Sequence, residues 1–430
     1  MKKLIVLAGL SLIFFSSATF AQASEDEIQL LRQQIEMLSN RLDELEAQNR
    51  QLAESAQQSE AQTVAKTEEI VDTRVESAVT EQVDEKMAAV SWAERIRWKG
   101  DFRYRYENID QEDKDGRNRS RIRARTNLEA DLSPTLEVGI GLATGGDDPV
   151  SSNQTIGGGG SSKDIKIDLA YFDWSGLENT NIIGGKYKNF LIRPAKKGLR
   201  WDGDWRPEGL GVVWDNDFIF AQALGTWLEG DSSKGTEFAW AVQGGFNFNT
   251  GDWGKLKIGG GYSVFDIAGR TPVFGDPDDF YGNTFRPIPV PGEDDPLLVF
   301  AYNYRNWEAF AEWKINKFLL FANWTQNTEV DEADTGYLFG AKYGSAKDRG
   351  TWDITYFYEK LEKDATVGLL ADSDFGGGGT DAKGHVISGT YAFHKNWNFK
   401  ATYFINKINL EREEDTDYNR LMLDLNFKFN

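Results

Sequence analysis

The chain has 430 residues, with 68 acidic and 48 basic side chains and a formal net charge of -20. This excess of negative charge argues against a nucleic-acid partner. The chain contains no cysteine, which excludes disulfides and thiolate metal ligands, and its two histidines leave little for a histidine-based metal or catalytic centre. We therefore expect no bound metal, no cofactor and no enzymatic activity.

A secretory signal peptide is predicted for residues 1–23. The apolar run 4–15 follows Lys2 and Lys3 and precedes small residues that end at Ala23. A run of about a dozen residues is short for the roughly 20 that a membrane-spanning helix needs. Cleavage after Ala23 is therefore expected.

Residues 24–92 are predicted to form an α-helical coiled coil that stands in the periplasm as a stalk. Apolar side chains recur at seven-residue spacing between Ile28 and Leu52, and the polar Asn49 occupies one core position. These features favour a two-stranded coiled coil, although a three-stranded coiled coil stays open. About 60 helical residues would reach roughly 90 Å, enough to contact the cell wall.

Two stretches that follow the coil alternate between apolar and charged side chains. Ile96, Trp98, Phe102, Tyr104 and Tyr106 alternate with charged residues, and residues 119–130 repeat the pattern. Successive side chains of a strand point to opposite faces, so each stretch has one apolar and one charged face. The sequence offers no apolar helices to cover the apolar face, which indicates lipid on the outside and water on the inside.

The whole region 93–430 is predicted to be an all-β transmembrane barrel of sixteen antiparallel strands. Seven short connections alternate with eight long ones, as in outer-membrane barrels whose two ends lie on the same side. A soluble β-sandwich array or a smaller barrel are the alternatives, and residues 297–304 could form an extra strand inside their loop. The long connections are predicted at 108–118, 145–163, 189–208, 229–236, 268–305, 331–335, 364–381 and 411–417.

Four stretches of the barrel region resemble the putative porin family of Gram-negative outer-membrane proteins. They are Gly100–Glu107, Arg117–Arg125, Ala143–Thr155 and Trp201–Gly209. More loosely, the coil before the barrel is similar to phosphate-selective porins. The resemblance implies a general diffusion pore for small hydrophilic solutes and ions, trimeric and embedded among outer-membrane lipid and lipopolysaccharide.

A ladder of cations on the first two predicted strands is the candidate site. In the resembling porins the third long loop folds into the barrel, which implies that its acids Asp202, Asp204 and Glu208 face the ladder and create a transverse field. Alternatively, the arginines pair with Asp101, Glu107 and Glu129 and only stiffen the wall. The ladder residues are Arg97, Lys99, Arg103, Arg105, Arg119, Arg121, Arg123 and Arg125.

Three other functions stay open beside the diffusion pore. The coil could make the protein a structural tether to the cell wall. The ladder could make it a channel selective for anions or phosphate, although Arg193, Lys196, Lys197 and Arg200 in the third loop leave the sign of the constriction unsettled. A barrel lipase or protease is the enzyme alternative, which the two poorly placed histidines disfavour.

Overall fold

The computed structural model describes residues 95–429 except 113, 231–235, 273–278 and 412–414, together with three isolated residues of the N-terminal region. Those three, Arg41, Gln48 and Ser55, are helical and exposed. The predictions of a signal peptide at 1–23 and of a coiled coil at 24–92 otherwise lie outside the described residues. Among the described residues, no helix has the length and apolarity that crossing a bilayer requires.

Sixteen long antiparallel strands close into a single barrel. Closure is complete because the first strand, Ile96–Gln111, pairs with Arg117–Ser133 on one side and with the last strand, Thr416–Phe429, on the other. The predicted count of sixteen strands is therefore confirmed. The strands are β1 Ile96–Gln111, β2 Arg117–Ser133, β3 Leu136–Thr144, β5 Ile165–Leu177, β6 Thr180–Lys186, β7 Glu208–Asp215, β8 Ile219–Glu229, β9 Glu237–Asn249, β10 Lys255–Phe265, β13 Tyr304–Ile315, β14 Phe318–Asn327, β15 Thr335–Gly344, β16 Trp352–Leu361, β17 Ala382–His394, β18 Trp397–Ile408 and β19 Thr416–Phe429.

Three short strands lie in the long loops rather than in the barrel wall. β4 (Gln154–Thr155) pairs with β2 at Arg121 and Ile122. β11 (Phe285–Ile288) and β12 (Leu297–Phe300) pair only with each other, as a hairpin. The extra strand that the sequence left open near 297–304 therefore exists, but it adds no member to the barrel.

Short turns lie at one end of the barrel and long loops at the other, as predicted. The turn at Asn316 and Lys317 joins β13 to β14 in two residues, and Asn316 adopts φ 51, a left-handed conformation that asparagine tolerates well. We name the long loops L1 112–116, L2 145–164, L3 187–207, L4 230–236, L5 266–303, L6 328–334, L7 362–381 and L8 409–415.

The side chains alternate across the wall as the sequence predicts. On β1, Trp98 is 63% exposed on the outside, whereas Arg105 and Glu107 are 3% and 0% exposed on the inside. Leu128 of β2 is likewise 52% exposed on the outer face. An apolar outer face alternating with a charged inner face is the arrangement of a barrel that stands in lipid and holds water.

Part of the interior is filled by loop side chains that form an apolar core. Trp201 of L3 and Leu370 of L7 are almost fully buried, and they belong to one cluster with Phe300 of β12 and Phe265 of the wall. A second cluster joins Leu199 of L3 to wall residues of β14–β19 and to L7. Apolar burial therefore holds L3 and L7 inside a barrel that sixteen strands would otherwise leave wide.

Ile387 offers a test of the lipid-facing surface. It lies in the middle of the thirteen-residue strand β17 and is 48% exposed, between the buried inward residues Val386 and Ser388. Ile387→Arg should lower the free energy of unfolding by about 2–4 kcal/mol, because a cation on the lipid face near mid-membrane is costly. Urea titration in lipid vesicles measures the change, with Ile387→Leu as the control. Equal unfolding curves for the two variants would place Ile387 away from lipid.

Candidate functional site

Like charges face each other on β1 and β2. The strand register sets Arg103 directly opposite Arg123 and Arg105 directly opposite Arg121. Cross-strand neighbours of the same sign destabilise a sheet, and more so where water is partly excluded. The ladder therefore needs carboxylates close to it.

Some of these carboxylates come from the ladder strands themselves. Asp101 accepts hydrogen bonds from Arg123 at 2.8 Å and from Arg125 at 2.9 Å. Glu107, fully buried, accepts from Arg119 and, at 2.9 Å, from Arg420 of β19. The alternative that the arginines pair with the wall acids is thus part of the arrangement.

The last strand provides a bidentate partner for Arg105, the carboxylate of Asp424. The Nε of Arg105 donates to Oδ1 of Asp424 at 2.6 Å, and a terminal nitrogen donates to Oδ2 at 3.0 Å. A carboxylate that meets a guanidinium through two parallel bonds fixes both distance and orientation. Arg105 is therefore a rigid part of the inner wall.

L3 brings Asp204 onto the ladder. Its Oδ1 accepts from Arg125 at 2.8 Å, and its Oδ2 lies 3.6 Å from Arg123 and 3.3 Å from the hydroxyl of Ser152. Arg206 of the same loop lies 4.0 Å from Asp204. Asp204 thus shares one small volume with three arginines.

The remaining acids proposed from the sequence lie elsewhere. Asp202 contacts no ladder residue closely, and its carboxylate accepts from the backbone N–H groups of Asp204 at 2.7 Å and Ser373 at 3.0 Å. Glu208 does not join the group: it begins β7 and pairs with Lys186 while its side chain is 60% exposed. The strand phase explains this, because Glu208 shares a face with Leu210 and Val212, both exposed on the outside.

The lower end of the ladder forms a separate group near the short turns. Lys99 donates to Glu129 at 2.6 Å, and Arg97 pairs with Glu129, Asp131 and Glu137. Neither cation contacts L3. The eight ladder residues therefore divide into Arg97 and Lys99, which are neutralised within the wall, and six arginines that lie farther toward the long loops.

L7 contributes acids that the sequence reasoning did not identify. Asp374 lies 3.0 Å from Arg105 and 2.9 Å from Arg420. Asp372 and Asp374 form an Asp-x-Asp pair that resembles Asp202 and Asp204 of L3. The same spacing also occurs at Asp215 and Asp217 and at Asp415 and Asp417, so it does not by itself single out these two loops.

L3 and L7 are also joined directly through their backbones. The N–H of Asp202 donates to the carbonyl of Leu370 at 2.7 Å, and the N–H of Asp372 donates to the carbonyl of Gly198 at 3.0 Å. With the bond from Ser373 to Asp202, three hydrogen bonds connect the loops. The four acids of the two Asp-x-Asp pairs therefore belong to one structural unit.

The other side of L3 contacts a different part of the wall. Arg200, 2% exposed, pairs with Glu308 of β13 at 3.2 Å. Gln243 of β9 accepts from the N–H of Ile192 at 2.7 Å and donates to Glu308 at 2.7 Å. Ala195 has φ 48 and donates its N–H to Glu312. L3 thus has polar anchors on the ladder and on β9 and β13.

Paired and unpaired loop acids differ in ionisation. Burial opposes the charge on Asp204, but Arg125, Arg123 and Arg206 outweigh it and lower its pKa to about 2. Its ion pairs are therefore fully present above the ordinary value of 3.8 and are lost only as the pH falls through about 2. Burial, reinforced by Asp372 and Asp204, raises the pKa of Asp202. Contact with arginine therefore favours the charged form of Asp204, whereas burial opposes the charged form of Asp202.

Two cavities lie along this charged surface. The lower cavity, of about 430 Å³, lies toward the short turns and is lined by Lys99, Asp101 and Lys428 among others. The upper cavity, of about 320 Å³, is lined by Arg103 and by the acids of L3 and L7. Both cavities include Arg193 and Gly203 in their lining, so a segment of L3 lies between them.

Removal of the Asp204 carboxylate should loosen L3. Asp204→Ala leaves Arg123 and Arg125 without a loop partner, and a broken, partly buried ion pair costs about 1–3 kcal/mol after allowance for water in the interior. Limited digestion of the folded barrel with trypsin should then cleave L3 faster, at Lys196, Lys197 or Arg200.

The control for this prediction is Asp147→Ala. Asp147 pairs with Lys166 but its side chain is 87% exposed, so its removal should leave the rate of L3 cleavage unchanged. Mass spectrometry of the fragments identifies the cleaved bonds. If both variants are digested like the unmodified chain, Asp204 does not hold L3 in place.

Comparison with known proteins relates this architecture to a family. The family model described as Putative porin matches residues 108–289 and 290–429. No curated protein sequence matches the chain significantly.

Several solved barrels are similar in structure. A high-pH structure of OprB from Pseudomonas putida has 14% identity and a TM-score of 0.53, over 80% of this chain and 97% of that chain. OmpF from Salmonella typhi, in complex with daunomycin, has 14% identity and a TM-score of 0.48, over 78% and 97%. A triple mutant of the Rhodopseudomonas blastica porin has 10% identity and a TM-score of 0.47, over 78% and 100%.

The likeness to OprB shows the barrel fold, and the family match covers most of the described barrel. Both agree with the closed wall of sixteen strands, its apolar outer face and its charged interior. The chain belongs to the Putative porin family and is an outer-membrane porin.

Proposed function

We propose that the protein is a passive pore for small hydrophilic solutes and ions, narrowed by L3. One observation carries the proposal: Asp204 of L3 pairs with the ladder on β1 and β2, while Arg200 of the same loop pairs with Glu308 of β13. β13 is the tenth of the sixteen barrel strands, so it stands far across the barrel from β1. A loop anchored on both sides crosses the interior and reduces its open area.

L7 completes this constriction. Its Leu370 and Asp372 are hydrogen-bonded to the backbone of L3, and its Asp374 accepts from the terminal nitrogen of Arg105 that Asp424 does not contact. We propose that L3 and L7 act as one unit rather than L3 alone. The apolar core around Trp201 and Leu370 acts together with the ion pairs to keep the unit in the barrel.

The arrangement places opposite charges around one cavity. Arginines line it from the β1–β2 wall and aspartates line it from L3 and L7, of which Asp204 and Asp374 contact arginines directly. Such a transverse field orients dipolar solutes and disfavours apolar ones, because these would displace ordered water without gaining polar contacts. No catalytic step is part of this proposal.

We also propose that the protein assembles as a homotrimer among outer-membrane lipid and lipopolysaccharide, in line with its family. Chemical cross-linking in intact membranes tests this assembly. A cross-linked series that ends at the dimer would contradict it.

Planar-bilayer recording tests the role of the ladder. Replacement of Arg121, Arg123 and Arg125 by glutamine removes three positive charges and leaves Asp101 and Asp204 without their main partners. The reversal potential in a salt gradient should therefore shift toward cation preference, and the conductance should change.

Arg305→Gln is the matched control for this experiment. Arg305 lies on β13 and pairs with Asp266 at 3.1 Å, outside the two cavities. Its replacement should leave the reversal potential unchanged. If the triple variant retains both its conductance and its selectivity, the ladder does not line the narrowest part of the pore.

A lysine of L3 gives the constriction a pH dependence. Burial, and then Lys400, lower the pKa of Lys197 to about 7, and Asp372, Lys342 and Glu359 are the other charged groups near it. The protonated, cationic form is therefore present below about pH 7 and is lost above it. Burial and Asp374 raise the pKa of the neighbouring Asp372.

Raising the pH from about 6 to about 8 should therefore shift the reversal potential toward cations, since Lys197 loses its positive charge in this range. Lys197→Gln should reduce the shift, whereas Lys166→Gln, on the exposed pair with Asp147, should not. The measurement is the reversal potential of single channels at the two pH values. A shift of equal size in both variants would show that Lys197 does not titrate in this range.

A further inference from the structure

The two interior cavities differ in charge from the chain as a whole. Their linings together contain twelve lysines and arginines but only seven aspartates. The complete chain, in contrast, has a formal net charge of -20. The excess of cations is thus concentrated along the proposed route of the solute.

Ion pairing does not cancel this excess. Five of the seven aspartates pair with arginines, and only Asp202 and Asp372 form no ion pair in the described part of the chain. Those two acids are the ones whose pKa burial and neighbouring acids raise.

Several cations, in contrast, have no carboxylate partner. Among the described residues, none of the carboxylates lies within 4.0 Å of Arg103, Arg193, Lys197 or Lys400 in the upper cavity, or of Lys188 or Lys428 in the lower one. These cations follow the route from one cavity to the other, because Arg193 belongs to both linings. An anion that moves along the route therefore finds a successive series of unpaired positive charges.

Among these cations, Arg103 has an unsatisfied hydrogen-bond donor that an anion could fill. Its one described hydrogen bond runs from a terminal nitrogen to Oδ1 of Asn153, and its Nε is buried without a hydrogen-bond partner. A buried donor without an acceptor is costly. An oxyanion would satisfy it, since a guanidinium presents parallel N–H groups that match two oxygens of a carboxylate or phosphate.

We propose that the pore favours small oxyanion-bearing solutes, namely carboxylates and phosphates, and that Arg103 and Lys400 form a binding position for them in the upper cavity. This inference rests on the proposed diffusion pore and assigns a solute class to it. Lys400 of β18 lines the same cavity as Arg103 of β1, and L3 adds Arg193 and Lys197. An oxyanion there meets cations from two nearby strands of the wall, on either side of β19, and from a loop.

Bilayer recording of the purified full-length protein tests the charge preference. In a potassium chloride gradient the permeability ratio of chloride to potassium should be about three or more, because unpaired cations concentrate anions in the passage. The double variant Arg103→Gln and Lys400→Gln should bring the ratio toward one. Lys166→Gln, outside both cavities, should leave it unchanged.

Inorganic phosphate probes the binding position. Phosphate added to chloride solutions should reduce the chloride current of the unmodified pore, because it occupies the position of Arg103 and Lys400 for longer than chloride does. The double variant should need severalfold more phosphate for the same reduction. Lys197→Gln serves as a second variant, and retained heat-modifiable mobility on gels shows that each barrel is folded.

The outcomes separate this inference from the proposed function. Absence of any channel in the bilayer would refute the pore and the inference together. A channel that prefers potassium, or has no preference, would refute the inference and leave the pore intact. An anion-preferring channel whose phosphate sensitivity does not change in the double variant would refute the binding position at Arg103 and Lys400.

Discussion

The interior of this barrel is organised by the need to compensate arginines that face each other on neighbouring strands. Arg103 stands opposite Arg123, and Arg105 opposite Arg121, so β1 and β2 cannot supply enough acids from their own faces. Asp101 and Glu107 provide part of the compensation. The rest comes from β19, from L3 and from L7, which ties the closing strand and two distant loops to the same few guanidinium groups.

Charge alone does not explain why the loops stay inside, because an ion pair that water can reach contributes little. The aspartates of L3 and L7 are only partly buried, and their pairs are open to the cavities. Trp201 and Leu370, in contrast, lose nearly all contact with water, and burial of each contributes about 1.5–3 kcal/mol. Apolar packing on the β9–β13 side therefore positions the loops, and the ion pairs on the β1–β2 side determine which charges face the cavities.

The sequence predicts the wall well and the interior less well, for a physical reason. Alternation with a period of two is local, so strands, turns and lipid-facing residues follow from short windows, and the count of sixteen is correct. Glu208 could have been set apart from Asp204 by the same rule, because it is in phase with outward Leu210 and Val212. The pairing of Asp374 with Arg105 could not be predicted, since it joins residues 269 positions apart and depends on how L7 folds.

The net charge of the interior lining depends on this division between wall and loops. The ladder fixes a dense group of cations whose spacing the strand register enforces, and it cannot change without altering the barrel. The number of acids that reach the ladder depends instead on two loops, each with one aspartate paired to arginine and one, Asp202 or Asp372, hydrogen-bonded to backbone. Because only half of the loop acids neutralise arginines, the ladder keeps part of its charge. In the proposed pore, the loops therefore set the selectivity, while the strands supply a constant cationic background.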